Sequence, residues 1–372
     1  MIKIQQVTTK KDIKEFLNFP LRLYADNPYF VPPLYYAEKK MFSDEHAYSD
    51  TCESVFFNAY RDGVMVGRIQ GILQKAHNEK TGEKRIRFTR FDCLNDQEAA
   101  AALFTAVEDW GRSLGMEKIC GPLGYSDLER EGLLIEGFDQ MSTFEEQYNA
   151  DYYQRLIEDL GYEKEVDWLE YRLYPPDKAD ERFEKTVAYI MRRYKLHYVD
   201  MPIKEIISRY ADKFFVLLDE SYDELYGTVP FTPKMKAEII DNFKLLCDRR
   251  FVGLLVDEND DLVCMGVCFP AMGEALVGSG GHLTPAALAR VLKAVKKPKY
   301  MDLGLIGVSS KHINHGLAAI LCYSMINMMK KNGIEYCETN LNLEDNHEIH
   351  NLWKRFRAVQ HKRRRAFVKS LI

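Results

Sequence analysis

The sequence predicts an α/β protein built as two tandem copies of one domain, and three observations carry that expectation. A chain of 372 residues exceeds the size at which a single hydrophobic core stops growing. The phrase Gly115-Met116-Glu117-Lys118-Ile119-Cys120 returns as Gly333-Ile334-Glu335-Tyr336-Cys337, each time between an apolar helical stretch and a short apolar strand. The order strand, helix, hairpin, helix, strand, helix, strand also reads through the chain twice.

In the first copy a hairpin runs over residues 56–60, turns at Arg61-Asp62-Gly63 and returns over 64–69. After Asn95-Asp96 a helix presents Leu103, Phe104, Val107, Trp110 and Leu114 at helical spacing and stops at Gly115. The stretch 121–141, with Ser126, Glu129 and Glu131 among its glycines, reads as an ordered loop able to serve as a substrate lid. A helix over 152–160 ends at Gly161 before a strand. Pro175-Pro176 continues neither helix nor interior strand, so the predicted domains are 1–176 and 177–372. In the second copy the hairpin strands are 251–256 and 262–266. The strand 301–308 leads to a helix starting near Gly316, with Leu317, Ile320, Leu321, Met325 and Met328 on its apolar face and Asn332-Gly333 as its stop. Residues 349–356 answer the helix at 152–160.

Composition narrows the class. Hydrophobic residues make up 46% and charged ones 29%, as in a soluble globular protein, and no apolar run reaches the length of a membrane span. The amino terminus lacks a secretory signal. Eight scattered cysteines include no Cys-x-x-Cys, and Cys264/Cys268 has no second pair, so the reading is buried thiols in a cytoplasmic protein without a metal site. A net charge of −5 argues against nucleic acid as a partner. The exception is 354–369, with eight Lys/Arg and no acid, but too few aromatics to stack bases.

One helix start stands out chemically. A helix N-terminus has unpaired N–H groups and a partial positive charge, so it suits a pyrophosphate. The run from Ser309 to Ala318 places Lys311, His312 and His315 there, with Gly316 at the helix start, and no acid lies between Gly304 and Asn332. The corresponding stretch in the first half, 91–98, has no glycine and carries Asp92, Asp96 and Glu98, which repel a phosphate.

This order of elements resembles the GNAT acyltransferase superfamily over nearly the whole chain, and the stretches Val66-Gly67-Arg68-Ile69, Tyr226-Gly227-Thr228-Val229-Pro230-Phe231-Thr232 and Asn342-Leu343-Glu344-Asp345-Asn346 resemble a bacterial GNAT-like family of this length. The resemblance is sharpest at Lys311, Asn314 and Gly316, which fall on a basic-x-x-Gly-x-Gly pattern with Asn314 replacing the middle glycine. It continues at Asn346 and Trp353, where the superfamily has Asn and Tyr. The resemblance implies two mixed, mostly antiparallel sheets flanked by helices: an N-terminal GNAT-like domain without a phosphate loop and a C-terminal one that binds acyl-CoA. It implies acetyl-CoA or a longer acyl-CoA as cofactor, held by the backbone of Leu305, Ile306, Gly307 and Val308 and by Lys311, Asn314, His315, Gly316, Leu317, Asn346 and Trp353. The expected reaction is direct attack of a small-molecule or lipid-like amine on the thioester. Trp353 is no proton donor, so His350 and Tyr323 become candidate acids. Glu338 is the candidate base, because Glu335 repeats Glu117 while Gly121 takes the place of Glu338. The alternative is a CoA-binding or scaffold protein without catalysis.

Overall fold

Alternating burial along the strands and apolar stripes along the helices give the elements their faces. The structure, a computed structural model, describes residues 1–178 and 180–372, with Asn314 described in its backbone only. The chain opens with β1 (Ile2–Gln6), α1 (Lys10–Leu23), α2 (Tyr35–Lys40), β2 (Cys52–Arg61), β3 (Val64–Gln74) and α3 (Lys75–Thr81). It continues with β4 (Arg85–Cys93), α4 (Gln97–Ser113), β5 (Lys118–Gly121), β6 (Leu133–Glu136), α5 (Tyr153–Glu158) and β7 (Glu163–Tyr174). Then come α6 (Glu181–Arg193), β8 (His197–Tyr198), α7 (Ile203–Tyr222), α8 (Pro233–Leu246), β9 (Val252–Val256), β10 (Leu262–Pro270) and α9 (Gly273–Leu276). The last elements are α10 (Pro285–Lys296), β11 (Tyr300–Val308), α11 (Leu317–Asn332), β12 (Tyr336–Glu338), β13 (Asn342–Leu343), α12 (His347–Trp353) and β14 (Arg357–Ser370).

Two compact units result, but they are not consecutive pieces. The first comprises Met1–Leu169, Met272–Lys293 and His361–Ile372; the second comprises Glu170–Ala271 and Ala294–Gln360. The sequence reading draws a single cut after Pro176, whereas the unit border falls inside β7 and again inside β14. In the first unit the strands run β1-β2-β3-β4-β5-β14. All neighbours are antiparallel except β4 and β5, which are parallel and matched only over three pairs, Arg85 with Lys118 to Arg87 with Cys120. In the second unit the order is β8-β9-β10-β11-β12-β7. Here β11 and β12 are the parallel pair, again matched over three pairs, Tyr300 with Tyr336 to Asp302 with Glu338. The sixth strand of each sheet is therefore the one that closes the other copy in sequence: β14 in the first unit, and the end of β7 in the second.

The duplication extends to single residues. Glu117 N–H donates to the Lys84 carbonyl and its carboxylate meets Lys84 Nζ at 2.8 Å. Glu335 N–H donates to the Lys299 carbonyl, with the carboxylate 3.6 Å from Lys299 Nζ. The repeated glutamate is thus a surface clamp at the start of each parallel pair. The register also corrects the sequence alignment by one position. Cys120 lies opposite Arg87 as Glu338 lies opposite Asp302, so Cys120, and not Gly121, occupies the place of Glu338.

Each unit has its own core. In the first, Ile69, Phe88, Leu103, Phe104, Val107 and Phe367 are fully buried between sheet and α4. In the second, Leu173, Met301, Leu317, Ile320, Met329 and Cys337 are fully buried between sheet and α11. All eight cysteines are free thiols. The basic run of β14 is no free cationic surface. Arg363 and Arg365 both bind the buried Asp167, at 2.8 and 2.7 Å, Arg364 donates to the Gln147 carbonyl, and Lys362 is buried.

Candidate functional site

In each unit the parallel strands part after their third pair, and a bulge opens the gap. Against β10, Gly304 is the extra residue between Leu303 and Leu305; against β3, residues 90–91 stand opposite Ile69 alone. Beyond this point β11 has lost its β12 neighbour, so the backbone groups on that edge need other partners. Side chains hold those groups here. The Gly304 carbonyl accepts from Asn340 Nδ2 at 3.0 Å, Ile306 N–H donates to the Tyr222 hydroxyl at 3.3 Å, and the Val308 carbonyl accepts from Ser221 Oγ at 3.4 Å. Ser221, Tyr222 and Asn340 are not among the residues the sequence singles out.

From β11 the chain makes a 3-10 turn, Ser310–His315, and enters α11 through Gly316. Gly316 has φ +76, a left-handed backbone that glycine adopts freely. A Cβ there would lie 3.1 Å from Ile190 Cδ1, so the glycine serves the turn and the packing on α6 rather than clearing room for a ligand. No side chain caps α11, and its first turn holds no acid. By contrast α4 is capped by Asp96, whose carboxylate accepts from Ala99 N–H while Arg61 binds it at 2.8 Å, and Glu98 follows. The two helix starts therefore differ in the way the sequence predicts. One is filled by its own carboxylate, the other is open.

The charge around the open start is smaller than the sequence suggests. Lys311 is exposed. Burial, then the neighbouring His315, holds His312 below the usual imidazole range, so it stays neutral at neutral pH. His315 stacks on Tyr194 at 4.3 Å, and Leu317 is fully buried in the core. Glu220, at the end of α7, accepts from Ser310 N–H at 3.2 Å and from the Ser309 and Ser310 hydroxyls. A carboxylate thus sits beside the loop that no local pattern announces. The side chain of Asn314 lies outside the described residues.

The remaining candidates fall on different faces. Cys337 and Met301 point into the α11 core, so their strand neighbours Glu338 and Asp302 point to the opposite face, which α7 covers. Glu338 is buried, 3.5 Å from Arg172 Nε. Tyr323 lies on the other side, its ring edge-on to Phe183 at 5.6 Å, so it does not share a site with Glu338. Asn346 caps α12 by accepting from Ile349 N–H. Trp353 is buried and its Nε1 donates to Asn342 Oδ1 at 2.7 Å, and His350 Nε2 meets the Leu343 carbonyl at 3.0 Å. These three hold α12 and the chain before it in place. On the face of Glu338, a small, partly open pocket lies between α7, α8 and β9–β10. Its walls are apolar, with Ile206, Phe214, Ile240, Phe243, Leu254 and Val267 among them, and Val267 is the β10 partner of Leu305.

No family model matches the chain. Two curated relatives match over nearly their full length. Protein YghO of Escherichia coli is 27% identical over 378 residues, covering 99% of this chain and 95% of that protein. A protein of Caulobacter vibrioides named bacterial ceramide synthase is 24% identical over 384 residues, covering 100% and 98%. Among solved structures, a tandem GNAT protein from the clavulanic acid biosynthesis pathway superposes with a TM-score of 0.58 at 11% identity, covering 100% of this chain and 99% of that one. A GCN5-related N-acetyltransferase from Sphaerobacter thermophilus gives 0.53 at 10% identity, covering 100% and 96%. The splayed parallel pair, the bulge and the helix that follows, each present twice, together with these superpositions, make the chain a tandem GNAT-like protein by fold.

Proposed function

We propose that the chain is an acyl-CoA N-acyltransferase whose second unit holds the cofactor and whose acceptor is a lipid-like amine. The observation that carries this reading is the uncapped, acid-free start of α11 at the end of the splayed strand β11, beside a first-unit twin that its own carboxylates fill. The pyrophosphate would take the N–H groups of 316–318 and Lys311. The pantetheine chain would lie along the free edge of β11, displacing Asn340, Tyr222 and Ser221.

The chemistry then follows from the residues at that edge. Ile306 N–H is the donor available to the thioester oxygen as negative charge develops there. The amine nitrogen bonds to the carbonyl carbon, the C–S bond breaks, and the leaving thiolate takes a proton. Tyr222, whose hydroxyl already sits at Ile306 N–H, is the acid we assign, since Trp353 is buried and committed to Asn342. Glu338 takes the amine proton, with Arg172 steadying its charge. The apolar pocket beside Leu305 supports an alkyl-bearing substrate, as does the name of the Caulobacter relative, because ceramide is an N-acylated long-chain amino alcohol.

Titration calorimetry with acetyl-CoA and a long-chain acyl-CoA tests the site. Lys311→Glu should weaken binding by about tenfold, while Glu220→Gln should tighten it by removing a competing anion. Unchanged affinity in both variants would move the cofactor elsewhere. Thioester turnover with long-chain amines tests the reaction, and Tyr222→Phe should lower kcat by about 10²–10⁴ with little change in CoA affinity. Tight binding without turnover on any amine would favour a CoA-binding protein that does no chemistry.

A further inference from the structure

Helix α10 carries a surface that the acyltransferase reading does not use. From Gly281 to Lys299 the chain has no acid and five cations, Arg290, Lys293, Lys296, Lys297 and Lys299, in a protein of net charge −5. Only Ala287 of the helix is buried, with Val291 and Ala294 half-buried along the same side. The outer side presents Leu288 and Leu292 one turn apart, 42% and 59% exposed, with Leu283 just ahead of the helix at 44%. Lys293 and Lys296 border this strip. Arg290 is used internally, donating to the Ala275 carbonyl at 3.0 Å, and Lys299 lies 3.6 Å from Glu335. Among the described residues, Lys293, Lys296 and Lys297 make no ion pair.

A helix that serves only to cover a core puts charge, not leucine, on its outer face. Exposed leucines beside uncompensated lysines fit a surface that is apolar at depth and anionic at its rim. We propose that α10 seats this protein on an anionic lipid surface, with Leu283, Leu288 and Leu292 entering the acyl boundary and Lys293, Lys296 and Lys297 at the level of the phosphates. The lysine stems are long enough to lie along the leucines while their ammonium groups stay at the headgroups. Two leucines on the helix and one just ahead of it are too small a patch for a stable protein interface, which needs about 800 Å² on each partner. An anionic bilayer makes no such demand, because the lysines add to the attraction one by one.

Sedimentation of the full chain with lipid vesicles tests the proposal. Binding is expected to vesicles of phosphatidylcholine and phosphatidylglycerol, to fall as salt rises, and to be absent with phosphatidylcholine alone. Leu288→Ser/Leu292→Ser and, separately, Lys293→Gln/Lys296→Gln/Lys297→Gln should each weaken binding by at least about tenfold. Both variants should keep the wild-type circular dichroism and melting temperature, because no altered side chain is buried. Failure of the wild type to sediment with anionic vesicles would overturn the proposal, as would binding that neither variant changes. If the wild type elutes as an oligomer that the leucine variant breaks, and vesicles are ignored, the strip is a contact between copies and the lipid proposal is wrong.

Discussion

Gly316 shows how a residue chosen for one reason turns out to serve another. Its left-handed backbone makes Gly316→Ala a strain of about 1–2 kcal/mol, with Ile190 3.1 Å from the new carbon. Urea denaturation should show that loss, so the glycine is a poor probe of the cofactor and Lys311 a better one. Glu131 is the opposite case, a carboxylate that sequence placed on a lid and structure buries. It bridges to Leu123 by backbone, and burial, then the neighbouring Asp127, pushes its carboxyl well above the usual range. The fold keeps this proton where the unfolded chain releases it. Stability is therefore full below the ordinary carboxylate range and is lost as pH rises towards the folded value. Glu131→Gln has no proton to lose, and its denaturation midpoint should fall less between pH 5 and 8 than the wild type's. The turn at Lys311 and the helix start at Gly316 can be placed from the sequence because the two are contiguous in it. Glu220 and Tyr222 cannot, since only folding brings the end of α7 to the tip of β11.

At the scale of elements, the two equivalent helix starts were legible in full. Acids at 96 and 98 and their absence after Gly316 are local facts, and they become a capped and an uncapped helix. Asp96→Ala should destabilise the first unit by about 0.5–2 kcal/mol, measurable by thermal denaturation, and should leave acyl-CoA affinity unchanged if the site is in the second unit. The exchange of last strands was not legible. Both β7 and β14 follow a short helix and carry an apolar alternation, and nothing in that pattern says which edge each will pair with. The same gap explains the basic run: Arg363 and Arg365 look solvated until Asp167, a residue of the preceding half, is found beneath them.

At the scale of the molecule, the first unit is finished by His361–Ile372, which follow the second unit in sequence. Phe367 and Leu371 belong to its core, Arg112 Nε donates to the Leu371 carbonyl, and β14 pairs with β5. Truncation after Gln360 should leave that core open, so the shortened protein should show fast amide exchange throughout β4, β5 and α4; protection equal to the full chain would mean that β14 is dispensable. A fragment ending at Pro176, which the sequence alone would suggest as a domain, lacks the same strand and should not fold. The arrangement also fixes an order of events during synthesis. The ribosome delivers the first unit's main segment early and its closing strand last, at about 5–20 residues per second. For of order ten seconds or more the nascent chain must carry β5 with a bare edge, a template for mispairing with any neighbouring strand. A nascent-chain chaperone has its clearest client in that interval, and a nonsense codon just ahead of β14 would be as damaging as one far upstream.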